Sequence, residues 1–322
     1  MNSSVSNIGF IGLGAMGKPM AEQLATKLPS TTTIIVYDVV ESVINELVEK
    51  YPGKVFAGTS PKHVVENSQT IFSMVPEGSH VRSVYLDAKT GVCSTNLGNR
   101  LLVDCSTIDT ATSLEVKDYI ATHHPKASFY DAPVSGGVIG AIKGTIAFFV
   151  GCAETDPNFA QLSQLLKLMG TQLIACGKPS LGLSAKLCNN YLSGLIAIAN
   201  SEALIMGMKA GLDPRVLSSV FGAGTAQNTI CDRFNPCPGV APDAPSSNGY
   251  KGGFKVQLMK KDFSLAMGLA RELGVELVLG AQGLKTYESA SSDPKCKDLD
   301  SRVVFRHLGG DEEWAQKLNS KI

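Results

Sequence analysis

The chain has 322 residues, enough for two domains of ordinary size. Apolar residues make up 44% and charged residues 18%, and 29 basic side chains balance 29 acidic ones, which is typical of a soluble globular protein. This balance does not favour nucleic acid or an anionic membrane as a partner. We also expect no membrane span, since no uninterrupted apolar run reaches the length of about 18 residues that a span needs.

The eight cysteines and five histidines are scattered along the chain and form no C-x-x-C pair. This pattern predicts reduced thiols in an intracellular compartment and no structural zinc or other metal site. Neither an Arg- and Ser-rich presequence nor a secretory segment is visible, which favours a soluble intracellular protein. The ending Ser320-Lys321-Ile322 is one conservative step from the peroxisomal S-K-L signal, and an ordinary polar tail is the alternative.

The first predicted element is an apolar strand over residues 7–11, followed by glycines with G-x-G-x-x-G spacing. In a dinucleotide-binding loop, Gly12 permits the tight turn, Gly14 lets a pyrophosphate approach the backbone, and Gly17 lets the next helix pack closely. The N-terminus of that helix, over residues 18–28, then presents free N–H groups to the phosphates. The predicted cofactor loop comprises Gly12, Leu13, Gly14, Ala15, Met16 and Gly17.

A second strand, over residues 33–37, ends at Asp38, which lies 21 residues after Gly17. A carboxylate at this spacing accepts hydrogen bonds from the adenosine ribose and repels a 2′-phosphate. The sequence therefore predicts NAD rather than NADP as the cofactor. The alternative is that Asp38 is a turn residue after a strand.

Short apolar strands alternate with helices as far as residue 175, which predicts a mostly parallel, doubly wound Rossmann-type sheet covered on both faces. Ligands of such sheets bind beyond the carboxyl ends of the strands, where Val75, Pro76 and Thr107 fall. Further strands are predicted at 70–75, 100–104, 129–131, 145–151 and 172–175, and helices at 41–50, 61–67, 111–122 and 159–169.

The second half of the chain has a different pattern, with no predicted strands. A proline-free run over 183–209 predicts a central helix of about 40 Å. We therefore predict a dinucleotide-binding domain over 1–179 and an all-helical substrate and oligomerisation domain over 180–322. The other predicted helices cover 215–221, 256–273, 275–290 and 299–307, with a long loop at 235–253.

Two groups of residues could bind or convert a substrate. Ser135-Gly136-Gly137 follows a strand end, and consecutive glycines can turn their N–H groups toward one anion, although a plain glycine turn is the alternative. Lys186 and Asn190 lie four apart on the long helix and therefore on one face. Burial lowers the pKa of a lysine, as a general base requires. The alternative is a solvated helix lysine.

Two further groups have equally ordinary alternatives. Lys261-Asp262 lies near the start of a predicted helix, where a carboxylate beside a surface lysine is common. Ser106-Thr107 follows a strand and could contact a nicotinamide or a substrate, although such hydroxyls often cap turns.

Five segments together resemble the β-hydroxyacid dehydrogenase family, over nearly the whole chain and in the same order. They are Gly12–Ala21, Asp104–Ile108, Asp131–Gly140 (DAPVSGGVIG), Lys186–Asn190 (KLCNN) and Gly252–Asp262. The resemblance implies NAD-dependent oxidation of a small 3-hydroxycarboxylate, a Rossmann domain with a helical domain, and a homodimer or homotetramer. It also implies a mitochondrial location.

The resemblance assigns roles residue by residue. Lys186 matches the catalytic lysine, and Asn190 matches the residue that holds the substrate beside it. Ser135, Gly136 and Gly137 match the site of the substrate carboxylate. The matched cofactor contacts are Val75, Pro76 and Thr107, and Lys261 with Asp262 matches a pair that closes the site over cofactor and substrate.

One segment departs from the family pattern. Gln227 and Thr229 stand where similar dehydrogenases tend to carry Arg and Trp in an S-G-R-x-W-like segment. Loss of a bidentate guanidinium and a large ring would reshape the pocket, which leaves the hydroxyacid open. A glyoxylate- or tartronate-semialdehyde-type reductase and a non-catalytic dinucleotide-binding protein are the alternative functions.

Overall fold

The structure is a computed structural model that describes residues 7–319, so the Ser320-Lys321-Ile322 ending lies outside the described residues. The chain divides into two compact units, Met1–Lys186 and Leu187–Ile322. This division falls inside a helix, whereas the domain boundary predicted from the sequence lies at residues 179 and 180.

The first unit contains a fully parallel six-stranded sheet, which confirms the predicted Rossmann-type fold. Its spatial order is β3-β2-β1-β4-β5-β6. The strands are mostly apolar because helices cover both faces of the sheet. Their bounds are β1 Ile8–Ile11, β2 Ile34–Tyr37, β3 Val55–Ala57, β4 Thr70–Ser73, β5 Leu101–Asp104 and β6 Ser128–Asp131.

Alternate residues of each strand enter two separate cores, one on each face. Phe10 and Phe72 pack in the first core, while Ile11 and Ile71 pack in the second together with Tyr85. This alternation follows from the two-residue period of a strand. The helices of the unit are α1 Gly17–Lys27, α2 Glu41–Lys50, α3 Pro61–Glu66, α4 Gly78–Leu86, α5 Thr110–His123, α6 Gly137–Lys143 and α7 Phe159–Leu166.

A second, three-stranded sheet was not predicted. It consists of β7 Val134–Ser135, β8 Ile146–Val150 and β9 Gly170–Ala175, with β7 antiparallel and β9 parallel to β8. The sequence places residues 145–151 and 172–175 in the main sheet, which is wrong. Pro133, between β6 and β7, has no N–H to donate to the main sheet. Its carbonyl accepts from the Phe149 N–H of β8. The chain thereby leaves the main sheet after β6.

The second unit contains helices and no regular strands among its described residues. The helix α8, Leu181–Lys209, begins in the first unit and continues into the second. Phe263 and Tyr287 are fully buried in the core of the second unit, where the Tyr287 hydroxyl donates to the Gly194 carbonyl at 2.8 Å. The other helices are α9 Pro214–Ala223, α10 Thr229–Arg233, α11 Val256–Glu272, α12 Gly280–Ser292, α13 Val304–His307 and α14 Trp314–Asn319.

The expectation that no segment could span a membrane needs a correction for α8. By length and composition alone this helix is long and apolar enough to cross a membrane. The core helix of a soluble protein passes the same test, so this is weak evidence for a span. The long helix predicted at 183–209 is confirmed.

Candidate active site

The carboxyl ends of the parallel strands are level with one another. Ile11 pairs with Tyr37 and with Ser73, Ser73 pairs with Asp104, and Asp104 pairs with Asp131. The segments that follow these strands therefore begin at one edge of the sheet. They include the predicted cofactor residues Gly12, Asp38, Val75, Pro76 and Thr107.

The glycine loop after β1 has room only for glycine at two positions. A Cβ on Gly12 would lie 2.3 Å from the Met74 carbonyl oxygen, and Gly12 has a φ of 92°. A Cβ on Gly17 would lie 1.9 Å from the Gly12 carbonyl oxygen. Gly14 instead is exposed, with nothing within 4 Å of its Cβ position, so its backbone is open to a ligand. The residues present fit a pyrophosphate group.

Asp38 connects the second strand to this loop. Its Oδ2 accepts from the Leu13 N–H at 2.6 Å, and its Oδ1 accepts from the Val40 N–H at 2.8 Å. Each carboxylate oxygen has a second acceptor site, so the carboxylate can also accept from ribose hydroxyls. Its role in selecting NAD stays a prediction.

A buried polar network connects the ends of β4 and β5. Asp104 Oδ1 accepts from the Ser73 hydroxyl at 2.7 Å and from the Ser106 hydroxyl at 2.6 Å. The Ser106 hydroxyl oxygen accepts from the Val75 N–H at 2.9 Å. Burial raises the pKa of Asp104 to about 6, against the opposing effect of these donors. The network fixes the two loops that carry Val75 and Thr107.

Sequence reasoning assigned no role to Asp104 or Ser73. The signal was present, because each is a polar residue at the last position of a strand with an apolar interior, and both side chains are buried. A polar side chain buried there requires a partner.

The predicted carboxylate nest lies between β7 and α6. Gly136 and Gly137 both have positive φ angles, 134° and 63°, which explains why two glycines follow Ser135. Gly136 is exposed, and Ser135 is half-buried. The segment is accessible, and its binding role stays a prediction.

Lys186 and Asn190 are one turn apart on α8, and both are buried, at 6% and 5% exposure. The alternative of a solvated lysine is therefore wrong for Lys186. Within the second unit, the Asn190 amide donates to Asp262 Oδ2 at 2.6 Å, and Asp262 Oδ1 lies 3.4 Å from Lys261 Nζ. Asp262 is buried as well, so it holds the Asn190 amide in one orientation.

The residues that depart from the family pattern lie at the surface of the second unit. Gln227 and Thr229 are both exposed. Between them, Asn228 caps α10 by accepting from the Cys231 N–H at 2.8 Å, and its amide pairs with that of Asn200. The segment is therefore ordered by Asn228.

One cluster contains three types of metal-ligating side chain, although the sequence predicts no metal site. Asp293, Cys296 and His307 have ligand atoms within 4.8 Å of one another. Asp293 Oδ2 lies 3.6 Å from Cys296 Sγ and 3.4 Å from His307 Nδ1, within hydrogen-bonding range of the thiol. Burial raises the pKa of Cys296 to about 11. The trio is therefore a hydrogen-bonded group around a protonated thiol, and the absence of a metal site stays a prediction.

Two family models match the chain in succession. The NAD binding domain of 6-phosphogluconate dehydrogenase matches residues 7–177. The NAD-binding region of NADP-dependent 3-hydroxyisobutyrate dehydrogenase matches residues 181–308. The second match begins at the first residue of α8.

Individual relatives agree with these models. A probable mitochondrial 3-hydroxyisobutyrate dehydrogenase of Dictyostelium discoideum is 40% identical, over 88% of this chain and 85% of the relative. An NAD-dependent L-serine dehydrogenase of Pseudomonas aeruginosa is 34% identical, over 88% of this chain and 91% of the relative. The structure of Mycobacterium tuberculosis 3-hydroxyisobutyrate dehydrogenase with L-serine has a TM-score of 0.85 at 30% identity, covering 95% of this chain and 100% of that one. The chain therefore belongs to the β-hydroxyacid dehydrogenase family, and it is an NAD-dependent hydroxyacid dehydrogenase.

Proposed function

We propose that the protein catalyses the reversible oxidation of 3-hydroxyisobutyrate to methylmalonate semialdehyde with NAD, a step of valine catabolism. The observation that carries the proposal is the burial of Lys186 on α8, one turn from Asn190. Burial disfavours the charged form of a lysine, which supports a role of Lys186 in proton transfer near neutral pH. The similarity to 3-hydroxyisobutyrate dehydrogenases supports this choice of substrate.

NAD, when bound, accepts the hydride. The chain would hold it with the backbone of the glycine loop at Gly12–Gly17 and with Asp38 at the ribose. Val75, Pro76 and Thr107 would make further contacts with the cofactor. The fit rests on Gly14, whose backbone a pyrophosphate can approach, and on Asp38, whose carboxylate is already fixed by two N–H groups.

The substrate carboxylate would bind at Ser135-Gly136-Gly137 and so determine which carbon faces the nicotinamide. Lys186 Nζ, in its neutral form, accepts the hydroxyl proton as the carbinol carbon loses its hydride. The Asn190 amide orients that hydroxyl, and Asp262 keeps the amide in place. Lys261 and Asp262 would close the site over both ligands.

Replacement of Lys186 tests this mechanism. Lys186→Ala is expected to lower turnover by roughly 10²- to 10⁴-fold, the usual contribution of a general base, while NADH affinity stays unchanged. Lys209→Ala is the matched control, because Lys209 is an exposed lysine at the other end of the same helix. Stopped-flow turnover and NADH fluorescence titration measure the two quantities. Normal turnover in the Lys186→Ala variant would show that the proposed mechanism is wrong.

L-serine is the second candidate substrate, since one relative is named an L-serine dehydrogenase and the mycobacterial structure contains L-serine. The exchange of Arg and Trp for Gln227 and Thr229 leaves the choice between hydroxyacids to experiment. The assay is NADH formation with 3-hydroxyisobutyrate, L-serine and 3-hydroxypropionate, and NADPH consumption with glyoxylate and tartronate semialdehyde. Activity only with NADPH and glyoxylate or tartronate semialdehyde would favour the reductase alternative. No activity with any of these compounds would favour a binding protein.

The oligomeric state and the compartment are further proposals. The family resemblance supports a homodimer or homotetramer, which size-exclusion chromatography with light scattering tests. A mitochondrial location is supported by the Dictyostelium relative, which is named mitochondrial, while the Pseudomonas relative is bacterial.

A further inference from the structure

Asp131, the last residue of β6, lies under the beginning of α8. Its side chain is 2% exposed. Oδ1 accepts from the Ser180 N–H at 2.7 Å, and Oδ2 accepts from the Leu183 N–H at 2.9 Å. Both oxygens of one buried carboxylate therefore bind N–H groups at the N-terminus of the long helix. A negative charge at this position is also stabilised by the helix dipole.

Glycines on two sides leave the space that this carboxylate occupies. A Cβ on Gly151 would lie 1.9 Å from Asp131 Oδ1. A Cβ on Gly182 would lie 2.8 Å from Asp131 Oδ2 and 2.2 Å from the Phe149 carbonyl oxygen. The residue after β8 and the first turn of α8 can approach the carboxylate this closely only because Gly151 and Gly182 have no side chain.

The residue before the helix is held in an unfavourable conformation. Ser180 has a φ of 66°, which a non-glycine residue adopts only at a cost. Its N–H donates to Asp131, its hydroxyl donates to the Thr110 carbonyl at 3.3 Å, and its own carbonyl accepts from the Ser184 N–H at 3.0 Å. Several contacts thus fix a single direction in which α8 can begin.

Lys186 lies three residues after Leu183, about 4.5 Å farther along the helix axis. A shift of the helix by one residue would rotate the amine by about 100°. Ser135 lies four residues after Asp131 in the same segment, so the short stretch Asp131–Gly137 contains both the anchor of α8 and the predicted carboxylate nest. All of these residues belong to the first unit.

We propose that Asp131 is a positioning residue for Lys186, which fixes the depth and rotation of the first two turns of α8 and thereby the place of the amine. The proposal rests on the proposed role of Lys186 as the general base. Asp131 itself contacts backbone N–H groups and takes no part in proton transfer.

Asp131→Asn tests the proposal with little change in side-chain shape. In the Asn side chain only the amide oxygen is an acceptor, while the NH2 group is a donor. Either the Ser180 or the Leu183 N–H therefore loses its partner. We expect kcat to fall about 100-fold, the effect of a displacement of roughly 1 Å in a catalytic group. The dissociation constant for NADH should stay unchanged, because the Asp131 carboxylate accepts from Ser180 and Leu183 and not from the predicted cofactor loop. Asp156→Asn is the control, since Asp156 is a half-buried turn carboxylate of the same unit and should leave kcat unchanged.

A double-mutant cycle with Lys186→Ala separates positioning from general destabilisation. If Asp131 acts through Lys186, Asp131→Asn has no further effect on kcat in the Lys186→Ala background. Losses that multiply, or a single Asp131→Asn variant with normal kcat, would overturn the proposal. Normal turnover of Lys186→Ala alone would instead refute the proposed role of Lys186 as the general base.

A milder variant keeps the test valid should Asp131→Asn fail to fold. Ser180→Ala retains the N–H donor and loses only the hydroxyl contact with Thr110. We expect a smaller decrease in kcat, which again disappears in the Lys186→Ala background. A decrease that persists there would contradict the positioning role.

Discussion

Removal of the ionisable group at Asp104 should change how stability depends on pH. The carboxyl is fully buried, and burial raises its pKa from the ordinary 3.8 to about 6. Its folded-state pKa therefore lies above the unfolded one, so the folded protein binds the extra proton between these values. Stability consequently falls as pH rises from about 4 to about 6, and the full cost at higher pH is about 3 kcal/mol.

Asp104→Asn eliminates this titration while keeping an oxygen that can accept from Ser73 and Ser106. By the linkage relation, about 1.4 kcal/mol of this loss in the free energy of unfolding occurs between pH 5 and 7.5. The melting temperature of the variant should therefore rise relative to wild type by roughly 3–6 °C over this range. The new N–H lies where Asp104 Oδ2 has no hydrogen-bond partner, which adds a difference in stability that does not depend on pH.

Thermal unfolding followed by circular dichroism at pH 5, 6, 7 and 7.5 measures this effect. The control is Asp87→Asn, because the pKa of Asp87 is shifted in the opposite direction to that of Asp104. The pKa of Asp87 is lowered, first by the Thr90 N–H, so its contribution is lost only as pH falls below its ordinary value. The Asp87 variant should therefore differ from wild type by a constant amount over the same range. A constant difference for Asp104→Asn as well would refute the reasoning about its burial.

Two further variants test the cofactor site and the core of the second unit. Asp38→Ala is expected to reduce the preference for NAD over NADP, in kcat/KM, by at least roughly tenfold, since a hydrogen bond to a charged group contributes about 1.5–3 kcal/mol; unchanged discrimination would remove the basis for NAD selection. Tyr287→Phe deletes the buried hydroxyl that donates to the Gly194 carbonyl and should lower the free energy of unfolding by about 1–3 kcal/mol. Urea denaturation measures this free energy, and an unchanged denaturation midpoint would contradict the assigned hydrogen bond.

Local patterns in the sequence were sufficient for the parallel sheet, the glycine loop and the long helix. The strand over 8–11 and the glycine spacing after it require only burial and backbone freedom, which neighbouring residues encode. One error of these predictions also has a local cause. The helix predicted at 275–290 begins only at Gly280, because Val275, Val278 and Leu279 are exposed rather than packed.

Other features depended on the path of the chain. Asp131 and Ser180 are 49 residues apart, and Asn190 and Asp262 are 72 apart. Periodicity shows that a residue is buried, but it does not show which distant N–H or amide will satisfy it. The sequence by itself thus determined the fold class and the candidate cofactor loop. Only the tertiary structure decided which buried carboxylate holds the start of α8, because that contact exists only once β6 and the helix have packed together.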